Sequence, residues 1–194
     1  MDLKEKIVTE SLKLFSLKGF LSTSINDILE AANTSKGGLY NHFESKESLF
    51  FSVLNEATRI WRVATLADLD QVSKPVEKMK RFLENYRDRY LKDRSNFPGG
   101  CIFVTLSVEL DDQRPVLSSE LNKGFTGLRA MLNRLLDEGK GSGEVRKDVD
   151  TAAVTEMIFA GMLGASVIYG MEKSEACLHQ AIGSLIEYLD KLAD

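Results

Sequence analysis

Residues 23–54 read TSINDILEAANTSKGGLYNHFESKESLFFSVL, and this stretch decides the fold. Its apolar residues from Ile25 to Ala32 follow the i, i+3, i+4, i+7 spacing of a helix with one buried face. Ser24 can cap the start of that helix, and Asp27 at the third helical position completes a variant of the capping box. The stretch therefore begins with a short amphipathic helix.

A tight turn and two more helix starts follow in the same stretch. Asn33 tolerates the left-handed backbone conformation better than most residues other than glycine, so we expect the chain to turn there. Ser35 predicts a third helix from Lys36 to about Phe43, and Ser45 predicts a fourth directly after itself. Helix, turn and helix within roughly 20 residues is the spacing of a helix-turn-helix.

The rest of the chain predicts further helices and an all-α protein. Apolar spacing over residues 3–18 predicts a first helix, which Gly19 ends. Downstream, helical patterns cover residues 46–69, 74–95, 101–110, 115–138, 150–171 and 174–192, with breaks at 96–100 and 138–148. With 194 residues, 43% of them apolar, the chain is long enough to bury a core.

The third helix has an apolar side and a polar side. At about 100° per residue, Leu39 and Phe43 share one side and Asn41 points the opposite way, between the two glycines. Because each glycine weakens a helix by about 1 kcal/mol relative to alanine, we interpret the pair as marking a side that a partner approaches closely. The amide of Asn41 can bond a base edge, and four neighbouring side chains can reach phosphates: Ser35, Lys36, Tyr40 and His42.

The overall charge gives no support to nucleic-acid binding. The net charge is −4, and residues 1–50 hold six lysines against seven Asp and Glu. Binding to DNA therefore has to depend on a few well-placed groups rather than on a broad positive field.

Residues 23–54 resemble the DNA-binding signature of TetR-family transcriptional repressors. The resemblance rests on the capped second helix, on Tyr-x-His-Phe at the end of the third, and on the Ser-Lys-Glu-x-Leu that follows. It implies a helix-turn-helix head over residues 1–47 and a larger helical ligand-binding and dimerisation body over residues 48–194. Carried over position by position, the family's DNA contacts fall on Ser24, Thr34, Ser35, Lys36, Gly37, Tyr40, Asn41 and His42, with Lys46 holding a phosphate.

Two positions depart from the family pattern. Asn33 stands where the family commonly has glycine, and Asn41 is at a variable position, so the operator sequence is left open.

The last two long helices carry two patterns that suit helix packing. Small residues recur at i, i+4 in one, and a stripe of large apolar residues runs along the other, so the pattern alone fits either a monomer core or a dimer interface. The resemblance implies a four-helix dimer interface, and a two-fold dimer is also suited to two half-sites of a palindromic operator. The expected interface residues are Ala160, Gly161, Gly164, Ala165, Leu178, Ile182, Leu185 and Leu189.

The middle of the chain is rich in large apolar and soft side chains. Core packing explains such residues, and the resemblance implies in addition a cavity for a small effector among them. The candidate effector-binding residues are Trp61, Phe82, Tyr86, Phe97, Cys101, Phe103, Leu106, Phe125, Leu128, Met131, Met157 and Met162.

Cys101 lies in GGCIFVTLSVEL, residues 99–110, which resembles the equivalent stretch of TetR-like repressors of the N-ethylmaleimide-reductase type. That resemblance implies a thiol that senses electrophiles and oxidants, and a helix start would favour its thiolate. A buried and inert cysteine is the alternative. Cys101 and Cys177 have no metal-ligand spacing and no disulfide framework, which favours a reducing cytoplasm.

The sequence thus predicts a homodimeric repressor that a small apolar or electrophilic effector releases from double-stranded operator DNA. We expect no cofactor, no metal and no membrane partner, since the apolar residues 152–171 include Thr155, Glu156 and Ser166. Two alternatives stay open: a helical carrier that does not bind DNA, and an all-α enzyme with Cys101 as nucleophile. Against the enzyme, neither histidine of the chain is near Cys101 in sequence.

Overall fold

The computed structural model describes residues 2–193, and the regular structure over that range is entirely helical, which confirms the predicted class. The helices in chain order are α1 Leu3–Lys18, α2 Ile25–Ala32, α3 Lys36–Tyr40, α4 Lys46–Thr65, α5 Pro75–Asn85, α6 Ile102–Leu110, α7 Pro115–Ser142, α8 Thr151–Glu172 and α9 Glu175–Asp190. A 3-10 turn, Leu69–Gln71, precedes α5, and a π-helical segment, Tyr86–Tyr90, follows it.

The predicted break at residues 138–148 begins too early, because α7 continues to Ser142. The C-terminal end of α7 is set by the reversal of the chain that follows it. The amides of Glu144 and Val145 donate to the Gly139 carbonyl at 2.9 and 3.1 Å, so the returning chain caps the helix. A Cβ at Gly139 would lie 3.2 Å from Val145, so the glycine leaves room for the return.

The chain forms two compact units. The first unit contains Met1–Trp61 and Asp93–Asn122, and the second unit contains Arg62–Lys92 and Lys123–Asp194. This division differs from the sequence-based one after residue 47, which falls inside α4. The difference has a physical cause, since α6 packs against α1 and so joins the helix-turn-helix segment in the first unit.

Aromatic packing holds the first unit together. The ring of Phe20 meets the rings of Phe15 and Phe50 edge to face, with centroids 5.4 and 5.2 Å apart. Ile7 and Ile28 are also fully buried, so α1, α2 and α4 all contribute to this core.

The second unit is built around the contact of α8 with α9. A Cβ added at Gly161 would lie 2.8 Å from a methyl carbon of Leu185, so the glycine lets the two helices approach closely. Helix α5 also packs on α9, and Lys80 pairs with Asp190 between them. The buried amide of Asn85 donates to carbonyls at the end of α4 and just beyond it.

Candidate nucleic-acid interface

The start of α2 is fixed by a reciprocal cap and an ion pair. Ser24 Oγ accepts from the Asp27 amide at 3.1 Å, and the Asp27 carboxylate accepts from the Ser24 amide at 2.6 Å, which confirms the predicted capping box. Lys18 Nζ, at the end of α1, lies 2.8 Å from the same carboxylate. Its hydrogen bond, followed by those from Ser24, lowers the pKa of Asp27 from 3.8 to about 2. Helix α2 is thus fastened to the last turn of α1.

The turn between α2 and α3 has the predicted backbone. Asn33 is left-handed, with φ at 49°, and the Thr34 amide donates to the Leu29 carbonyl at 2.9 Å. Ser35 Oγ caps α3 by accepting from the Gly38 amide at 3.2 Å. The turn therefore sets the direction of α3 through backbone bonds and one side-chain cap.

Helix α3 is shorter than predicted. It ends at Tyr40, and the prediction that it continues to about Phe43 is wrong. The amides of His42 and Phe43 both donate to the Leu39 carbonyl, which tightens the chain into a turn. Leu39 and Phe43 are only 2% and 4% exposed, so they anchor this turn as the sequence pattern predicted. Asn41 and His42 lie in the turn after the helix, both exposed.

Most of the predicted DNA contacts lie on the surface. Thr34 and Lys46 are half-buried, and the other seven of the nine are exposed: Ser24, Ser35, Lys36, Gly37, Tyr40, Asn41 and His42. Six of these seven come from residues 35–42, around the two buried anchors. They form the polar face of the α3 segment, and their contacts with DNA stay a prediction.

The two glycines of α3 are there for different reasons. A Cβ added at Gly38 would overlap Thr34 Oγ1 and lie 3.5 Å from the side chain of Leu3, so packing inside the unit favours a glycine here. A Cβ at Gly37 would meet only Ser35 Oγ, at 3.8 Å, so the space beside Gly37 is open. Close approach by a partner is therefore a reason left only for Gly37.

Lys46 is occupied inside the first unit. Its Nζ donates to the Phe20 carbonyl and lies 4.2 Å from the centre of the Phe20 ring. Burial lowers the pKa of Lys46, and the negative charge of Glu109 opposes that effect. The ammonium has three N–H groups, so it can hold the Phe20 carbonyl and still donate to a phosphate, and the predicted phosphate contact of Lys46 stays a prediction.

Glu109 also belongs to this region, although it is not among the residues that the sequence predicts for the site. Its carboxylate accepts from the amides of Phe20 and Leu21 at 2.6 and 2.9 Å. Its one signal in the sequence is a single acidic side chain in an otherwise uncharged helix, α6. That signal gives no indication of which distant segment the carboxylate holds.

The candidate effector-binding residues divide between the units. Trp61, Phe97, Cys101, Phe103 and Leu106 belong to the first unit, and the remaining seven belong to the second. In the second unit, the Tyr86 hydroxyl donates to the Met162 carbonyl at 3.3 Å, and the Tyr86 ring stacks on that of Tyr90 at 5.6 Å. Tyr90 was not selected, although its i, i+4 spacing from Tyr86 could have indicated it. Met157 is 40% exposed on α8, so it is not a residue of the protomer core.

The two cysteines have opposite environments. Cys101 is 8% exposed and immediately precedes α6, which places it at a helix start as predicted. Cys177 is exposed on α9. An electrophile in solvent therefore has little access to the Cys101 sulfur in this conformation.

Four of the eight predicted dimer residues are buried within the protomer, and two more meet each other between α8 and α9. Ala165, Leu178, Ile182 and Leu189 are buried, and Gly161 faces Leu185. Burial within the protomer corrects the assignment of those four residues to a partner surface, whereas Gly161 and Leu185 are half-buried and their place in an interface stays a prediction. Ala160 and Gly164 remain exposed, and a Cβ at Gly164 would meet no atom within 4 Å.

The outer side of α8 is apolar. Met157, Val167, Ile168 and Met171 are between 40% and 79% exposed, and they lie on the surface together with Ala160 and Gly164. Among residues 2–193, α8 is the one helix with the length and composition of a membrane span, a test that core helices of other proteins also pass. One third of the most apolar 18-residue stretch of α8 is buried within the protomer.

Sequence comparison matches both parts of the chain to described families. Residues 7–53 match the family described as bacterial regulatory proteins, tetR family, and residues 75–185 match the tetracyclin repressor-like C-terminal domain. The second match alone covers more than half of the chain.

Full-length relatives and a solved structure agree with these matches. The HTH-type transcriptional repressor DhaR of Mycobacterium sp. (strain GP1) is 27% identical over 186 residues, which cover 96% of this chain and 91% of DhaR. The HTH-type transcriptional repressor NemR of Escherichia coli (strain K12) is 25% identical, over 93% of this chain and 90% of NemR. The crystal structure of a TetR transcriptional regulator from Chloroflexus aurantiacus J-10-FL superposes with a TM-score of 0.85 at 29% identity, covering 96% and 93% of the two chains.

Proposed function

Because the chain belongs to the TetR family of bacterial regulatory proteins, we propose that it is a homodimeric transcriptional repressor with a palindromic operator. A small apolar or electrophilic effector releases it from that operator. It acts as a binding switch with no chemical step, and it works in the cytoplasm, where its DNA is. The named relatives DhaR and NemR are likewise described as transcriptional repressors.

The observation that carries this proposal is the polar face of the α3 segment. Buried Leu39 and Phe43 hold the segment in place, while exposed donors and acceptors project from its other side. The Asn41 amide has both a donor and an acceptor and suits a base edge, and the Lys36 ammonium and Tyr40 hydroxyl suit phosphates. Local placement has to supply the attraction, since the net charge is −4.

A second copy of the chain is the partner proposed for the outer side of α8. An exposed apolar face is unfavourable in water, and residues as small as Ala160 and Gly164 let another helix approach closely. One α3 segment reaches few base pairs, whereas two segments related by a two-fold axis reach two half-sites. The apolar face of α8 and the DNA-binding proposal therefore both call for a dimer.

The effector site is proposed among buried residues of the second unit. Phe82 and Tyr86 lie one helical turn apart on α5 and its π-helical extension, and Tyr86 bonds the backbone of Met162 on α8. Interruptions of this π-helical kind often occur at functional sites. Aromatic rings and a methionine suit an apolar effector.

Selection of bound sequences from random duplex DNA by the purified full-length chain tests the proposed function. We expect enrichment of a palindrome whose half-sites are about one helical turn, roughly 10 base pairs, apart. The matched control is the double variant Lys36→Ala and Asn41→Ala, which keeps both buried anchors of α3 and should enrich no palindrome. Equal enrichment by wild type and variant would refute the assignment of the α3 face, and no enrichment by either would refute DNA binding.

A further inference from the structure

The turn between α1 and α2, residues 19–21, is held by side chains from two other helices. The Glu109 carboxylate of α6 accepts from the amides of Phe20 and Leu21, at 2.6 and 2.9 Å. From α4, Lys46 Nζ donates to the Phe20 carbonyl. Thr23 closes the turn by donating from Oγ1 to the Gly19 carbonyl at 2.6 Å. The polar backbone groups of this turn are thus bonded by an anion, a cation and a hydroxyl.

The local geometry is arranged around the Glu109 carboxylate. Gly19 has φ at 81°, a left-handed conformation that favours glycine, and a Cβ there would overlap the carboxylate. Two hydrogen bonds to one charged acceptor are stronger than bonds between neutral groups. The charge of Glu109 also acts on Lys46, whose pKa it raises against the lowering effect of burial. Glu109 and Lys46 therefore act on the turn together.

A second attachment joins the segment before α6 to α1. The Gly99 amide donates to Ser16 Oγ at 3.2 Å, and Ser16 Oγ donates to the Gly100 carbonyl at 3.1 Å. The backbone at Gly99 lies directly against the Ser16 carbonyl, where a Cβ would not fit. Residues 99–109 are therefore attached at one end to α1, through Ser16, and at the other end to the turn that follows α1, through Glu109.

We propose that Glu109 is a positioning residue for operator recognition. It does not touch DNA. It fixes the turn from which α2 starts, and α2 in turn fixes α3 through the Asn33 turn and the Thr34 amide. Through the hydrogen bonds of Glu109 to this turn, α6 and the α3 segment behave as one body within the first unit. The proposal rests on the DNA binding proposed above.

Glu109→Gln tests the proposal, because it keeps the size of the side chain and removes its charge. The matched control is Asp112→Asn, which removes the same charge from an exposed side chain three residues further along the chain. Both variants and the wild type are titrated with the duplex that the wild type enriches, and the active fraction is determined separately by stoichiometric titration. For Glu109→Gln we expect the dissociation constant of the active fraction to rise about tenfold, while Asp112→Asn stays within twofold of the wild type.

Amide exchange separates positioning from general destabilisation. In Glu109→Gln, exchange at Phe20 and Leu21 should accelerate, while amides of α8 and α9 keep the wild-type rate. A merely structural role would lower the thermal midpoint and the active fraction and leave the affinity of the active fraction unchanged. That result, or unchanged exchange at Phe20 and Leu21, would overturn the proposal. If the wild type enriches no duplex, the proposed function fails and the positioning role fails with it. Faster exchange at Phe20 and Leu21 in Glu109→Gln would in that case still show that Glu109 bonds these two amides.

Discussion

The exposed faces of α3 and α8 differ in chemistry, although both helices bury their other side. The α3 face carries hydroxyl, amide, imidazole and ammonium groups, all of which water solvates well. The α8 face carries Met157, Val167, Ile168 and Met171, which water does not solvate favourably. A partner is therefore indicated by energetics at α8 and by the pattern of donors and acceptors at α3. The partners proposed for the two faces differ accordingly, a second copy of the chain at α8 and DNA at α3.

The largest expected effect comes from Gly164→Arg, which places a long charged side chain on the apolar face of α8. We expect the protein to become monomeric in sedimentation at micromolar concentration and operator affinity to fall by about 100-fold or more, because the two half-sites are no longer bound as one. Gly141→Arg is the matched control, since that glycine is also exposed, helical and free of neighbours within 4 Å. A dimeric Gly164→Arg variant would place the partner surface elsewhere.

Lys36→Ala should weaken operator binding about five- to tenfold at 0.1 M salt, since it removes one phosphate contact. The same substitution should reduce the slope of log affinity against log salt concentration by about one. Lys147→Ala, an exposed lysine in the second unit, serves as the control and should change neither quantity. An unchanged salt slope for Lys36→Ala would remove this residue from the DNA contacts.

Gly37→Ala should separate folding from binding. The added methyl group meets open space in the free protein, so the free energy of unfolding should stay the same or rise by up to about 1 kcal/mol. Operator affinity should fall several-fold, because the methyl group stands where DNA approaches. Gly141→Ala provides the comparison, with a similar gain in stability and no change in affinity. Full operator affinity for Gly37→Ala would mean that DNA does not approach this side of α3.

The smallest effect concerns Asp27 and appears only in acid. The hydrogen bond from Lys18 lowers the pKa of Asp27 to about 2, so its stabilising contribution is complete above about pH 4 and is lost as the pH falls through about 2. An NMR titration of the Asp27 carboxyl group should give a midpoint near pH 2 in the wild type and a higher one in Lys18→Met. A wild-type midpoint near 3.8 would show that α2 is not tied to α1 in this way.

Much of the α2–α3 segment is predictable because its signals are local. Ser24 with Asp27, the left-handed Asn33 and the Ser35 cap each act within a few residues, and all three are found where the sequence places them. The end of α3 is less predictable. The helix ends where the amides of His42 and Phe43 share the Leu39 carbonyl, and no residue type in the sequence signals that arrangement. The sequence also does not distinguish Gly37 from Gly38, because the difference lies in the neighbouring atoms: only Gly37 has open space beside it.

Contacts between distant segments are what the sequence pattern does not contain. The bond between Glu109 and Phe20 spans 89 positions, and Gly161 meets Leu185 across two helices. An apolar stripe such as that of α9 shows that a helix has a covered side, and it does not say whether its own chain or a partner covers it. That ambiguity is why four of the eight predicted interface residues are buried inside the protomer.

The most direct test of the central claim, that the α3 face reads operator sequence, is a comparison of the duplexes selected by wild type and by Asn41→Ala. We predict that the variant stays folded and dimeric but loses preference at one symmetry-related base pair in each half-site, a change worth about 1–3 kcal/mol of discrimination. Preferences at the other positions should persist, since the phosphate contacts are unchanged. If Asn41→Ala selected the same sequence as the wild type, with the same base preference at every position, that result would contradict the account.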